Sequence, residues 1–307
     1  MIRSITLSAF LWLILLSANA QTLSMPPEIA KAFANGTRSM DGKPGKNYWQ
    51  NHGRYDISIT VAPPTRTIKG VEQISYTNNS PNTLDSLNMK LIMNVHNTRS
   101  TTAPSVAAIQ VDEFQVNGAK ADWDNSKATT TNYMVPLKKP LGPHESVKLN
   151  VTWHYELSKG QGREGVIDST SFYLAYFYPR VSVYDDYKGW DLQPHTGGLE
   201  FYNDFNDYTL NVTVPKNFIV WATGTLQNAG KVLQPAAAKR LQESMTNDST
   251  MHIATAQDLA AKNITIQNET NTWRWTASNI SDMAVGISDH YDWDAASVVV
   301  DKATKRR

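Results

Sequence analysis

From Arg54 the chain alternates in character. Tyr55, Ile57, Ile59 and Val61 are apolar, while Arg54, Asp56, Ser58 and Thr60 between them are polar. A period of two buries one face of an extended strand and leaves the other in water, so a chain built on it must fold as sheets. The strand pattern recurs over 67–77, 84–93, 106–116, 131–137, 145–157, 171–178, 207–214, 218–227 and 272–288. Turn signals separate several of these segments: Pro63-Pro64, Asn78-Asn79-Ser80-Pro81, Asn117-Gly118 and Leu141-Gly142-Pro143. Within 67–77, Ile68, Val71, Ile74 and Tyr76 are expected inside, with Gly70 marking a bulge. Within 272–288, two apolar runs split by Asn279-Ile280-Ser281-Asp282 are expected to pair in hairpin fashion.

Helix signals are confined to two places. Pro26-Pro27-Glu28 can open a short helix that Asn35-Gly36 closes. Pro235–Glu243 and Thr255–Lys262 read as two short helices set between strands. Many strands without βαβ alternation predict an all-β fold: a large antiparallel, multi-stranded sandwich with a short helical insertion near 235–262.

The N-terminus carries a different message. Met1-Ile2-Arg3 precedes an apolar run from Ile5 to Leu16 and the small-residue end Ala18-Asn19-Ala20. A basic start, an apolar core too short to span a bilayer and small residues at −3 and −1 describe a signal peptide over 1–20; a membrane anchor is the alternative. The chain is therefore expected to be exported, periplasmic or extracellular, and off the membrane after cleavage. Residues 21–47 read as an extension with a flexible Asp41-Gly42-Lys43-Pro44-Gly45 connector. There is no cysteine, so neither disulfides nor thiol chemistry can contribute. A formal net charge of +1 offers no basic footprint for nucleic acid.

Three blocks carry a family resemblance. Glu200–Pro215 (Glu-Phe-Tyr-Asn-Asp-Phe-Asn-Asp-Tyr-Thr-Leu-Asn-Val-Thr-Val-Pro), Val220-Trp221-Ala222-Thr223-Gly224, and the stretch from Trp273 to Ser288 resemble the N-terminal β domain of M1-family zinc aminopeptidases. The resemblance covers roughly 48–300 and implies a β domain over 48–295 with a saddle-like sheet. It also implies that 296–307 begins the following catalytic domain and that the chain is a fragment ending before the zinc-binding helix. An M1 enzyme needs His-Glu-x-x-His on a helix, which sets both imidazoles on one face and the Glu against the metal-bound water. The seven histidines are His52, His96, His144, His154, His195, His252 and His290, and no two are four apart. His144-Glu145-Ser146-Val147-Lys148 fails at its last position. Gly197-Gly198-Leu199-Glu200 is only superficially similar to the family's Gly-x-Met-Glu-Asn clamp. No catalytic residue and no metal ligand is thus assigned to this chain, and zinc is expected only in the missing catalytic domain.

What the β domain lends to the cleft in that family lies near an aromatic-Pro strand, here Ser171–Pro179. The family's Gln or Glu is absent there. Asp168 is the nearest acid, and a carboxylate suits a substrate ammonium. Asp168, Tyr173 and Tyr178 are therefore the candidate substrate-binding residues; a turn role for Asp168 is the alternative. The aromatic residues of 172–202 divide between core and interface lining. Asp185-Asp186 reads as a solvated loop rather than a calcium site. The expected partners are the absent M1 catalytic domain and, through it, a peptide substrate. The rival readings are a stand-alone secreted β-sandwich binding module and an exported carbohydrate-binding sandwich.

Overall fold

The computed structural model describes residues 24–95, 108–128, 130–159, 163–196 and 202–307; the expected signal peptide, His96 and Gly197–Phe201 lie outside them. Two compact units are present, Met1–Tyr48 and Trp49–Arg307. In the first, helix α1 (Pro27–Ala34) has Pro at its start, and Gly36 follows its C-cap with φ +72°.

The second unit is all-β with a short helical insertion. Its main sheet comprises β1 (His52–Thr60), β2 (Thr67–Thr77), β4 (Gln110–Val116), β5 (Ala119–Lys120), β7 (Ser146–Glu156), β13 (Asn206–Pro215), β15 (Thr225–Leu226) and β17 (Thr270–Ile280), in the order β15-β17-β13-β1-β2-β7-β4-β5. A three-stranded sheet joins β10 (Arg180–Val181), β3 (Leu84–Lys90) and β6 (Asn132–Leu141). A four-stranded sheet has the order β14-β18-β9-β8, from β14 (Ile219–Ala222), β18 (Val285–Ser288), β9 (Ser171–Leu174) and β8 (Gly165–Asp168). Two two-stranded sheets pair β11 (Tyr184–Asp185) with β12 (Gly189–Trp190), a hairpin, and β16 (Met251–Ala254) with the sequence-distant β19 (Trp293–Ala295).

One face of the main sheet is largely apolar. Ile57, Ile59, Ile68, Ile74, Leu149, Val151, Leu210, Val212 and Trp273 are all at most 2% exposed and belong to one continuous core. Each such side chain stabilises by about 1.5–3 kcal/mol when taken from water. One pairing departs from the antiparallel expectation: β1 and β13 run parallel, Arg54 opposite Asp207 through Thr60 opposite Thr213. Their starts are tied side by side, since Asn206 Oδ1 accepts the Gly53 amide at 2.6 Å.

The insertion consists of α2 (Ala229–Val232), α3 (Pro235–Ser244), β16 and α4 (Ala256–Ala260). Thr255 and Asp258 form a reciprocal capping box at the start of α4. Arg240 on α3 reaches the Ile253 carbonyl at 2.7 Å and Asp258 at 3.3 Å, which locks the two helices across the strand.

Several elements differ from the periodicity. Gly70 is not a bulge; β2 pairs without a shift on both sides. A Cβ there would lie 2.3 Å from Trp153 Cζ2, so glycine leaves room for the indole. With the strand unbulged, Ile68, Gly70, Glu72, Ile74 and Tyr76 share the inner face, and Val71 points outward, 55% exposed. The expected strand 171–178 stops at Leu174 because Tyr176 has φ +61° and Phe177 and Tyr178 are both buried, which no alternating strand allows. The segment 84–93 ends as a strand at Lys90 and continues as a 3-10 turn over Ile92–Asn94.

Strands β17 and β18 do not form the expected hairpin. They lie in different sheets, β17 against β13 and β15, β18 against β14 and β9. The segment 218–227 likewise divides between β14 and β15, turning at Gly224 (φ +99°), where a Cβ would sit 2.3 Å from the Thr276 carbonyl oxygen. Both chains therefore cross between sheets side by side, joined by Thr223 N to Ala284 O at 3.1 Å.

Glu72 is the costly residue of this core. It is 1% exposed between Ile57 and Val151, and neither carboxyl oxygen has a hydrogen-bond partner among the described residues. Burial pushes its carboxyl well above the usual range, with Arg180 opposing. The folded chain thus holds a proton that the unfolded chain releases near pH 4.3. The stability this gives is full below that pH and is lost as pH rises towards the folded value. Glu72→Gln should therefore gain on the parent by up to about 1.4 kcal/mol per pH unit above roughly pH 4.3. Urea unfolding at acidic and mildly alkaline pH checks this; an equal difference at both would contradict it.

Candidate functional site

The three residues singled out by the sequence divide into two environments. Asp168 ends β8, and Tyr173 lies on β9, the other arm of the same hairpin. Tyr173 is 43% exposed and packs beside Gly286 on the neighbouring strand β18. Tyr178 is elsewhere: it is fully buried and donates its hydroxyl to Asp282 Oδ1 at 2.7 Å.

Asp168 is held by its own turn. Its Oδ1 accepts the Thr170 amide at 2.9 Å, and its Oδ2 lies 3.3 Å from His290 Nε2. Partial burial pulls the carboxyl up, but the Thr170 amide, Ser171 and His290 outweigh it and hold the group below its ordinary range. His290 follows β18 and was not singled out by the sequence, because it is 122 residues from Asp168 in the chain. Its Nδ1 meets Asp289 Oδ1 at 2.7 Å. The Asp289 bond leads a rise of its pKa above the ordinary histidine value, with Asp168 adding and desolvation opposing.

Ser171 Oγ lies 3.4 Å from His290 Nε2, which brings a serine, a histidine and two aspartates together. The nucleophile, however, is enclosed. Ser171 is 0% exposed and its Oγ is shared with Ser288 Oγ at 2.8 Å, while Asp168 competes for the same ring nitrogen. The two aspartates also face opposite nitrogens of one ring, so they cannot chelate one ion together with it. The cluster can hold a proton and tie the β8–β9 turn to the end of β18. Asp289→Asn should lower the titration midpoint of His290, read from its imidazole proton shifts; an unchanged midpoint would remove Asp289 from this role.

Tyr178 belongs to a buried network. Arg180, 3% exposed, pairs with Asp282 Oδ2 at 3.0 Å, and the Val181 amide donates to Tyr55 Oη at 3.1 Å. Tyr55 stacks on Tyr208 at 5.0 Å and meets Tyr178 edge-on at 5.9 Å. Removing the carboxylate leaves a buried guanidinium without its counter-charge, which costs about 3–5 kcal/mol. Asp282→Ala should therefore destabilise the fold by about that amount in denaturant titration, whereas Asp289→Asn, at the surface, should cost far less.

No zinc site assembles among the described residues. His144 has φ +62° in a turn, and Glu145 is engaged by the Gly142 amide at 2.8 Å and by Lys139 at 3.4 Å. Among the described residues no group of three His, Asp or Glu side chains is arranged to hold a metal ion. The Gly197–Glu200 segment lies outside them. Asp185 ends β11 in the hairpin β11–β12, and its Oδ1 accepts the amide of Asp186 at 2.7 Å.

A further carboxyl stands out. Burial pushes Asp204 up to about 6, with Asp185 adding and Gln50 and His52 opposing; Gln50 Nε2 donates to it at 3.0 Å.

No family model and no curated protein matches the sequence. Among solved structures, the chain is similar to an M1 zinc metallopeptidase from Deinococcus radiodurans at 15% identity and TM-score 0.43, over 80% of this chain and 44% of that one. A mutant of the enzyme from that organism bound to a Tyr-Ser-Ala substrate gives 14% identity and TM-score 0.41 over the same shares, 80% and 44%. A two-domain M1 mutant with bound L-tryptophan gives 14% and 0.42, again over 80% and 44%. The chain spans less than half the length of these structures.

Proposed function

We propose that this chain is a non-catalytic β domain of an exported M1-like zinc metallopeptidase, shaping the substrate cleft for a catalytic domain that carries the metal. One observation supports the reading above others. The sequence blocks that resemble the family are not scattered: Asn206–Pro215 pairs with Thr270–Ile280 in one sheet, and Ile219–Ala222 with Val285–Ser288 in another. They meet where two chain segments pass together between the sheets. In this reading the exposed hairpin with Asp168 and Tyr173 faces the cleft, and Tyr178 acts behind it by holding the segment in place. In this reading the zinc ligands and the general base belong to the partner domain: the sequence has no His-Glu-x-x-His, and no group of side chains among the described residues is arranged to hold a metal ion.

The isolated chain should then neither turn over an aminoacyl p-nitroanilide nor retain zinc after dialysis, and it should associate with an M1 catalytic domain supplied in trans. Chelator-sensitive turnover by the chain alone would overturn the non-catalytic assignment. Failure to associate, with a monomer persisting at high concentration, would favour the stand-alone secreted module.

A further inference from the structure

The hairpin β11–β12 stands apart from the larger sheets and borders a cavity of about 400 Å³. Three aromatic rings line it, Tyr187, Trp190 and Tyr202, together with Asp185, Lys188 and Gln193. We propose that this cavity binds a neutral saccharide of one or two pyranose units, stacked on the aromatic rings and hydrogen-bonded by Asp185 and Gln193.

The aromatic wall is prearranged from behind. Trp190 meets Tyr184 edge-on at 5.1 Å and lies 6.3 Å from Tyr76. Tyr184 is in turn 5.9 Å from Trp49, and its hydroxyl accepts from Asn82 at 3.2 Å. Rings fixed this way lose little freedom on binding, which favours recognition by flat contact. Tyr202 is different: it is 50% exposed, and its hydroxyl donates to Asp185 Oδ2 at 3.2 Å. An exposed ring with a tethered hydroxyl offers an apolar face and a polar edge at once, the combination the C–H face and hydroxyl rim of a sugar require.

Charge selects among the ligands that aromatic rings accept. Asp191 also borders the cavity, but Lys90 neutralises it at 2.9 Å from within the fold. Asp185 and Lys188 place one charge of each sign along the lining, and the Lys188 Nζ lies 5.8 Å from the Tyr187 ring centroid. A cationic ligand would meet the Lys188 ammonium over a ring it needs; an anion would meet Asp185. The balanced rim suits an uncharged polyhydroxylated ligand, and a cavity of about 400 Å³ lies within the ordinary size of a small-ligand site. The site is independent of the metallopeptidase reading and is compatible with either that reading or its rival.

The test is a titration of the full chain, watched by the indole N–H resonance of Trp190, with cellobiose, maltose and N,N′-diacetylchitobiose as probes and tetramethylammonium and phosphate as comparators. At least one saccharide should shift the Trp190 signal saturably at millimolar concentration, and neither ion should. Tyr202→Ala, at an exposed position, should keep the circular dichroism of the parent and weaken that saccharide about tenfold, the loss of one ring contact. Tyr202→Phe should weaken it less. Three outcomes would overturn the proposal: no saccharide response, a saturable response to tetramethylammonium or phosphate alone, or saccharide binding unaffected by Tyr202→Ala in a folded protein.

Discussion

Asp282 pairs with the buried guanidinium of Arg180 and accepts the hydroxyl of Tyr178, and the segment between the sheets depends on it. Arg180 and Tyr178 lie on the stretch that leaves β9 and passes beneath the main sheet; Asp282 lies on the turn from β17 to β18. The bond therefore joins two crossings made far apart in sequence. Tyr55 adds a third tie by accepting the Val181 amide, so the same stretch is fastened to the first strand of the main sheet. In a low-dielectric interior such a pair is retained only if both charges stay satisfied. The site surfaces lie on either side of this anchor along the chain: the Asp168–Tyr173 hairpin before it, and the aromatic hairpin β11–β12 after it.

Polar groups placed in an apolar core fix position more than they add stability. Lys90, whose side chain is 3% exposed, meets Asp191 at 2.9 Å and donates to the Gln193 carbonyl at the same distance. Burial lowers the Lys90 pKa, and Asp191 opposes that shift. The pair ties the end of β3 to the chain just beyond β12, and so holds the rim of the aromatic cavity against the three-stranded sheet. Glu72 has no such compensation from a hydrogen bond, and the apolar face around it must offset its cost. That face, supplied by β1, β2, β7, β13 and β17, carries most of the stabilisation.

The fold class was legible in the sequence, and the candidate sites were only partly so. Alternation located β1, β2, β7 and β13 almost to the residue, and Pro235 and Thr255 marked the starts of the inserted helices. Val71 and Gly70 were misread because period two alone cannot distinguish a bulged strand from one that makes room for an indole; Trp153, which decides it, lies on another strand. Asp168 and Tyr173 were named from the sequence, but His290 and Asp289, which surround Asp168, carry no motif of their own. Tyr178 reads as a surface aromatic until Tyr176 turns the chain inward.

Local chemistry by itself determined that this chain makes sheets, roughly where β1, β2, β7 and β13 begin and end, that no disulfide supports them, and that no His-Glu-x-x-His motif is present. Those properties depend on residues within a few positions of one another. Only the tertiary structure decided that β17 and β18 enter different sheets, that β1 and β13 run parallel, and that Arg180 meets Asp282. Each of these depends on which strand edges and which charges are brought together across distant stretches of the chain, and spacing along the chain holds no record of that. The backbone must turn at Tyr176, Gly224 and the 281–284 corner before any of these partners can meet.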